Sequence, residues 1–341
     1  MNKALKLLDE NFVLELLRKE VLPQYPYFTA LNKVVVRPYK QFIWETTYHV
    51  VISWEAYFST KNGEEVKLPI FCSAHSNEKR ENIYEVLKYL WENNFPDSNF
   101  KLPRPLFYSR EFNGTFYRGL RGENLLYYIK KCDRPEIKKI IKESAALFYK
   151  LHNLNIDSKA NFNPLHAHIN TVIPGVDNIL KEVGARYHGK YVADLRQIYD
   201  YLIEMEEKYF LSGAKLFLIH GDAHPENIIK TNENKIGLVD FTDVCLSDFA
   251  RDLGSFMQQL EYKITSKAGD YEFAQEMKKL FLDAYLKISG LEFNSDLENR
   301  VKLYYNFTAI RTAAFFFLKE GHDEERGRTL INKVKEDLNL K

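Results

Sequence analysis

The sequence predicts an α+β chain in two lobes: a small antiparallel-sheet lobe over residues 1–118 and a larger, mostly helical lobe over 119–341. Two observations carry this. Between Val34 and Arg118 the chain runs through β-branched and aromatic stretches broken by turn signals, whereas beyond Gly122 helical periodicity dominates. At 341 residues the chain is long for one compact unit and natural for two lobes sharing a cleft.

The elements follow in order. Residues 3–21 place Leu5, Leu8, Val13, Leu16 and Leu17 among charges, an amphipathic helix. Lys33–Arg37 and Tyr48–Trp54 read as strands, and Lys61-Asn62-Gly63-Glu64 as the hairpin turn into a third strand over about Lys67–Ala74. Glu78–Asn94 is helical, with Ile83, Val86, Leu87 and Leu90 on one face. Leu102-Pro103-Arg104-Pro105-Leu106-Phe107 opens another strand and Thr115–Arg118 a further one; Gly119-Leu120-Arg121-Gly122 reads as a hinge. Helices are expected over Ile137–Leu151, Asp194–Phe210, Ala250–Tyr262, Phe273–Leu286 and Val301–Lys319.

Composition narrows the function classes. Lys and Arg total 48 against 47 acids, so no bulk charge invites nucleic acid or a membrane surface. No stretch reaches the roughly 20 apolar residues of a membrane span. Cys72, Cys132 and Cys245 are unclustered and odd in number, which suits a reducing compartment rather than disulfides or a metal site. The first residues are charged and lack a signal-peptide core. Together these predict a cytoplasmic protein. The 24 Phe and 22 Tyr are read as large-residue core packing.

The most informative stretch is His220 to Asp252. His220-Gly221-Asp222-Ala223-His224-Pro225-Glu226-Asn227 leads into a short apolar run, the polar turn Thr231–Lys235, and Ile236-Gly237-Leu238-Val239-Asp240. A hairpin centred near Glu233 brings Asn227 and Asp240 close together, since they lie six and seven residues from its centre. An amide oxygen beside a carboxylate is a hard-oxygen pair suited to Mg²⁺. Asp222, on the loop entering the hairpin, is placed to accept a proton from a hydroxyl. A base, an Asn and an Asp in this order are the parts of a phosphoryl-transfer site. The bland reading, that the three residues only cap turns, leaves their meeting at one hairpin unexplained.

At these residues the chain resembles the aminoglycoside phosphotransferase and choline kinase superfamily. His-Gly-Asp-x-x-x-x-Asn followed by Val239-Asp240-Phe241 is similar to that family's catalytic and metal loops. Asp240-Phe241-Thr242-Asp243 and Ser247-Asp248-Phe249-Ala250-Arg251-Asp252-Leu253 continue the likeness into a helix carrying a further Asp. Leu102-Pro103-Arg104-Pro105 and Leu151-His152 also look like family features. The resemblance implies a bilobal protein-kinase-like fold and an ATP-dependent phosphotransferase acting on a hydroxyl of a small molecule. An aminoglycoside, a choline-like amino alcohol and a sugar all stay open as substrates. Asp222 would be the catalytic base, with Asn227 and Asp240 as Mg²⁺ ligands. His220 would hold the loop, His224 stabilise it or face substrate, and Asp243 lie near a second metal or serve the turn. Asp252 is expected to be buried and paired with the loop, and His152 to be packed at a helix end. Glu261, Asp270 and Glu272 would suit a cationic substrate or simply line solvated helix faces.

The chain departs from the family in the first lobe. The third-strand stretch Ile70-Phe71-Cys72-Ser73-Ala74-His75 has no Lys to meet the nucleotide phosphates. Trp44-Glu45-Thr46-Thr47-Tyr48 stands in place of a Gly-rich loop. Thr46 and Thr47 are therefore expected at the phosphates. One cation among Lys67, Lys79 and Arg80, Lys67 first, is expected beneath them. The rival class is a catalytically weak kinase-like protein that binds a nucleotide or another ligand without turnover.

Overall fold

A computed structural model describes residues 2–156 and 162–341. It is mixed α+β, and the chain divides into two compact units. The first comprises Met1–Glu123 with Ile229–Thr242, the second Asn124–Ile228 with Asp243–Lys341.

The first unit opens with a 3₁₀ turn (Lys3–Leu8) and helix α1 (Glu10–Glu20). The sequence pattern predicts one helix here. Asp9 divides it, because its backbone is extended and its carboxylate caps α1 by accepting from the Asn11 and Phe12 N–H groups. Strands β1 (Phe28–Ile43), β2 (Tyr48–Thr60) and β3 (Glu65–His75) follow, then helix α2 (Glu81–Glu92), strand β4 (Phe100–Lys101) and strands β5 (Arg104–Ser109) and β6 (Gly114–Arg118). The antiparallel sheet has the order β1-β2-β3-β6-β5. β1 tolerates Pro38 because it is an edge strand and shifts register between Pro38 and Lys40. Alternation sets the core: Val50, Ile52, Trp54, Ala56 and Phe58 on β2 and Ile70, Cys72 and Ala74 on β3 face inward. Val13 and Leu17 of α1 join them, and the Trp54 indole donates to the Leu7 carbonyl at 3.2 Å. The opposite residues of β2 and β3, among them His49, Glu55, Tyr57, Lys67 and His75, lie on the other face.

A second sheet has the order β4-β10-β9-β7, from β7 (Gly122–Asn124), β9 (Ile228–Thr231) and β10 (Ile236–Leu238). The expected hairpin after Asn227 is thus formed by β9 and β10. β7 occupies the end of the expected hinge, where Gly122 is required: a Cβ there would strike the Lys230 carbonyl.

The second unit holds α3 (Leu125–Lys130), α4 (Arg134–His152), α5 (Val176–Arg186), α6 (Val192–Leu211) and strand β8 (Phe217–Ile219). It continues with β11 (Cys245–Ser247), antiparallel to β8, and α7 (Ala250–Ala268), α8 (Tyr271–Ser289), α9 (Ser295–Leu318) and α10 (Glu324–Asp337). Helices α7 and α9 approach closely at Gly254, where a Cβ would meet the backbone of Val301 and Tyr305. Cys72 and Cys245 are buried, and Cys132 is exposed between α3 and α4. No helix among the described residues is long and apolar enough to cross a membrane.

One buried acid in this unit has a measurable signature. Glu206 on α6 accepts from the Ile169 N–H at 2.8 Å and the Tyr304 hydroxyl at 3.2 Å, and burial lifts its carboxyl to about 7. Because the folded value lies above the unfolded one, its contribution is complete below the unfolded value, near 4.5, and is lost as pH rises to about 7. Glu206→Gln should therefore gain on the wild type across that window by up to about 3 kcal/mol. Thermal unfolding of both proteins at several pH values checks this; parallel curves would contradict it.

Candidate functional site

In the second unit, β8 delivers the chain to His220 and the helix behind it fixes the loop. Asp252, fully buried on α7, accepts from the His220 N–H at 2.7 Å and the Gly221 N–H at 2.9 Å. Its Oδ2 also lies 3.1 Å from His152 Nε2 at the end of α4, and His152 Nδ1 lies 2.8 Å from the Tyr285 hydroxyl. Burial alone would raise the Asp252 carboxyl; the hydrogen bond and charge of His152, with His220, outweigh it and hold it low. Asp252 and His152 thus stand where the sequence places them, as a buried clamp. Gly221 has φ +80° and packs its backbone against the Asp243 carbonyl, which sets Asp243 beside Asp222. The Asp243 carboxylate is not free; it lies 2.9 Å from His166 Nδ1.

Asp222 keeps 44% of its side-chain surface open. His224 Nε2 sits 3.3 Å from its Oδ2, and His224 Nδ1 sits 3.0 Å from Glu226 Oε2. Glu226 in turn pairs with Lys263 of α7 at 2.6 Å. Nδ1 also faces the Glu226 backbone N–H at 3.2 Å, but two carboxylates favour the imidazolium over that single contact. Partial burial pushes the His224 ring down, yet Asp222 and Glu226 raise it to about 9. Partial burial pushes Asp222 up, and the hydrogen bond and charge of His224 outweigh it, holding the carboxyl below the usual range. Asp222 is therefore ionised and oriented, with its second oxygen open to accept. Asn227 lies with it: its Nδ2 donates to the Asp222 carbonyl at 2.9 Å, which turns the amide oxygen the other way.

In the first unit, Asp240 follows β10 with φ +65°, a left-handed conformation uncommon for a residue with a side chain. Its Oδ1 accepts from Thr242 Oγ1 at 2.8 Å, leaving the exposed Oδ2 available. Asn82 of α2 donates to the Thr242 carbonyl at 3.3 Å. Tyr117 of β6 is near enough to sense Asp240; burial first, and that charge second, push its phenol up. Asn227 directly precedes β9, and Asp240 comes two residues after β10. Among the described residues no three His, Cys, Asp or Glu side chains form a metal cage of their own. Mg²⁺ does not need one, since one or two protein oxygens suffice beside water and phosphate.

Thr46 is exposed and Thr47 partly so, in the turn closed by Trp44 N–H donating to the Thr47 carbonyl at 2.9 Å. Lys67 does not lie beneath that turn. It pairs with Glu55 at 2.6 Å, over the Tyr57 ring, and stands opposite Tyr57 on β2. The nine residues from there back to Tyr48 span roughly 30 Å of strand. Lys79 is exposed, and Arg80 is buried with its Nη2 3.1 Å from Glu78. Lys40, which sequence reasoning passed over, lies nearer the turn: its Nζ is 3.5 Å from His49 Nε2, one residue beyond Tyr48. Burial, then Lys40, Arg80 and His75, depress His49 to about 4, so it stays neutral beside that cation.

Sequence reasoning also passed over the Glu226–Lys263 pair and Arg311, because each links the Asp222 loop to a helix 37 or more residues away. Of the acids considered for a cationic substrate, Glu261 is held by Lys278, by Lys333 at 2.7 Å and by the Tyr305 hydroxyl at 2.8 Å. Asp270 caps α8 and pairs with Arg134.

Residues 53–290 match the model of the phosphotransferase enzyme family. No protein of curated function matches the sequence. Among solved structures, a choline kinase from Cryptosporidium parvum Iowa II superposes with a TM-score of 0.60 at 15% identity, covering 96% of this chain and 95% of that one. A choline/ethanolamine kinase family protein from Mesorhizobium loti gives 0.54 at 14% identity over 97% and 95% of the two chains. An ADP-bound aminoglycoside phosphotransferase gives 0.53 at 14% identity over 95% and 96%. At these identities the likeness is one of fold.

Proposed function

The chain belongs to the phosphotransferase enzyme family, and from that premise we propose that it is a small-molecule kinase that moves the terminal phosphoryl group of ATP to an alcohol. The observation that carries the reading is the state of Asp222. It is ionised, half open, and held by His224 on one side while Asp252 fixes the backbone before it. In a loose phosphoryl-transfer transition state the base need only orient the hydroxyl and take its proton late. A carboxylate kept low by an imidazolium suits orientation better than early proton abstraction. Asn227, through the oxygen turned from Asp222, and Asp240, through Oδ2, would hold Mg²⁺, whose chemistry would be to neutralise charge on the nucleotide phosphates. Thr46, Thr47 and the nearby Lys40 are the proposed phosphate contacts of the first unit; Lys67, paired with Glu55 far along the strand from that turn, is not one of them.

The test is nucleotide binding by calorimetry with and without Mg²⁺. Asp240→Ala should abolish the tightening that Mg²⁺ gives the wild type. Asn227→Ala should weaken it less, because a neutral amide loses less charge interaction than a carboxylate. Equal affinity in wild type and Asp240→Ala at saturating Mg²⁺ would refute the assignment.

A second reading, a nucleotide-binding protein without turnover, is favoured by one observation: Phe71 and Ser73 occupy β3 where a phosphate-binding Lys is expected. It predicts Mg²⁺-nucleotide binding with no phosphate transferred to any acceptor.

A further inference from the structure

Near Asp222, within the same unit, stands a cation that no acid among the described residues pairs: Arg311 of α9. Helix α9 presents Thr308, Arg311 and Thr312 on one strip, three and four residues apart. Thr308 Oγ1 lies 2.8 Å from Ser255 Oγ, and Gln259 Nε2 donates to Thr312 Oγ1 at 3.2 Å, so the strip is fastened to α7. One turn beyond Gln259, Lys263 of the same helix holds Glu226 of the Asp222 loop. Arg311 is half-buried, with its guanidinium 5.7 Å from the Phe307 ring centre, and it makes no ion pair among the described residues. Its charge reaches Asp222, Asp243 and Tyr199, opposing in each the upward push of burial.

Each carboxylate around the loop already has a side-chain partner. Glu226 has His224 and Lys263, Asp243 has His166, Asp252 has His152, and Asp248 has Arg300 at 2.6 Å. Glu261, farther along α7, has Lys278 and Lys333. Asp222 itself has His224. A quaternary ammonium or an amino sugar entering here would find each of these acids already in contact with a partner, Asp222 keeping one oxygen open for the hydroxyl, and the Arg311 guanidinium in no ion pair among the described residues. A planar guanidinium with free donors is suited to a carboxylate or a phosphate.

We infer that the acceptor alcohol carries an anionic group, a carboxylate or a phosphate, which Arg311 receives while the hydroxyl is presented to Asp222. The inference rests on the phosphotransferase reading and narrows its substrate class from cationic or neutral alcohols to anionic ones. The other source of an anion at Arg311 is the terminal phosphate of the nucleotide, and the test separates the two.

The protein is loaded with Mg²⁺ and a non-hydrolysable ATP analogue and titrated by calorimetry with malonate and sulfate, then with choline and kanamycin. Wild type should bind malonate or sulfate, and Arg311→Gln should weaken that binding about tenfold or more, the scale of a charge-assisted contact. Arg311→Lys should retain part of it, and the affinity for the nucleotide analogue should be the same in all three proteins. Equal anion affinity in wild type and Arg311→Gln overturns the inference, as does wild type that binds choline or kanamycin in preference to the anions. Loss of analogue affinity in Arg311→Gln also overturns it and gives Arg311 to the nucleotide. Failure of the analogue to bind wild type defeats the phosphotransferase reading instead; the anion titrations of the nucleotide-free protein then still decide whether Arg311 is an anion site.

Discussion

Asp222→Asn should leave the fold and nucleotide binding nearly unchanged and lower turnover by about 10²-fold or more, the lower end of what a positioned general base contributes. The substitution is almost isosteric, so the His220–Gly221 clamp made by Asp252 persists. What is lost is the open carboxylate oxygen and the ion pair with His224. The His224 ring, deprived of one of its two carboxylates, should fall from about 9 toward its ordinary value, which NMR titration of the imidazole would show independently of any substrate. Retention of more than half the wild-type turnover would remove Asp222 from the mechanism.

Asp252→Ala should be the most damaging single change to stability. It strands two backbone N–H groups and the imidazole of His152 in a site closed to water. Removing one partner of a buried pair costs about 3–5 kcal/mol. The loop carrying Asp222 then loses its anchor, so activity should fall with stability. Asp252→Asn should recover part of the loss, since its amide oxygen still accepts from one N–H group. Urea unfolding of the three proteins measures this, and a midpoint for Asp252→Ala equal to wild type would show that the clamp bears no weight.

Much of this was legible before any coordinates. The strands and the larger helices follow from periodicity, because burial on one face imposes period two on β2 and β3 and period 3.6 on α2 and α4. The hairpin after Asn227 and the buried Asp252 follow from a stretch with its residues at fixed spacing. What escaped has physical reasons. β4 and β7 are two and three residues long and exist only because a sheet edge receives them. α10 buries only Gly327, Ile331 and Val334, too few to mark a helix against its charges. Asp9 looks like one more polar residue in an amphipathic run until its capping role divides the run. In the site, Lys67 was favoured because it shares β3 with the expected Lys position, but strand membership does not set distance along the strand. The Glu226–Lys263 pair and the unpaired Arg311 are products of helix packing, invisible to local pattern.

The central claim is phosphoryl transfer to an alcohol, and the most direct measurement follows the label from γ-³²P-ATP into a pooled set of hydroxylated metabolites that includes acids, phosphates, amino alcohols and sugars. The account predicts a labelled acceptor formed only with Mg²⁺ and wild-type protein, and reduced to near background with Asp222→Asn. No labelled acceptor from wild type under conditions where it binds Mg²⁺-ATP, or equal labelling by Asp222→Asn, would contradict it.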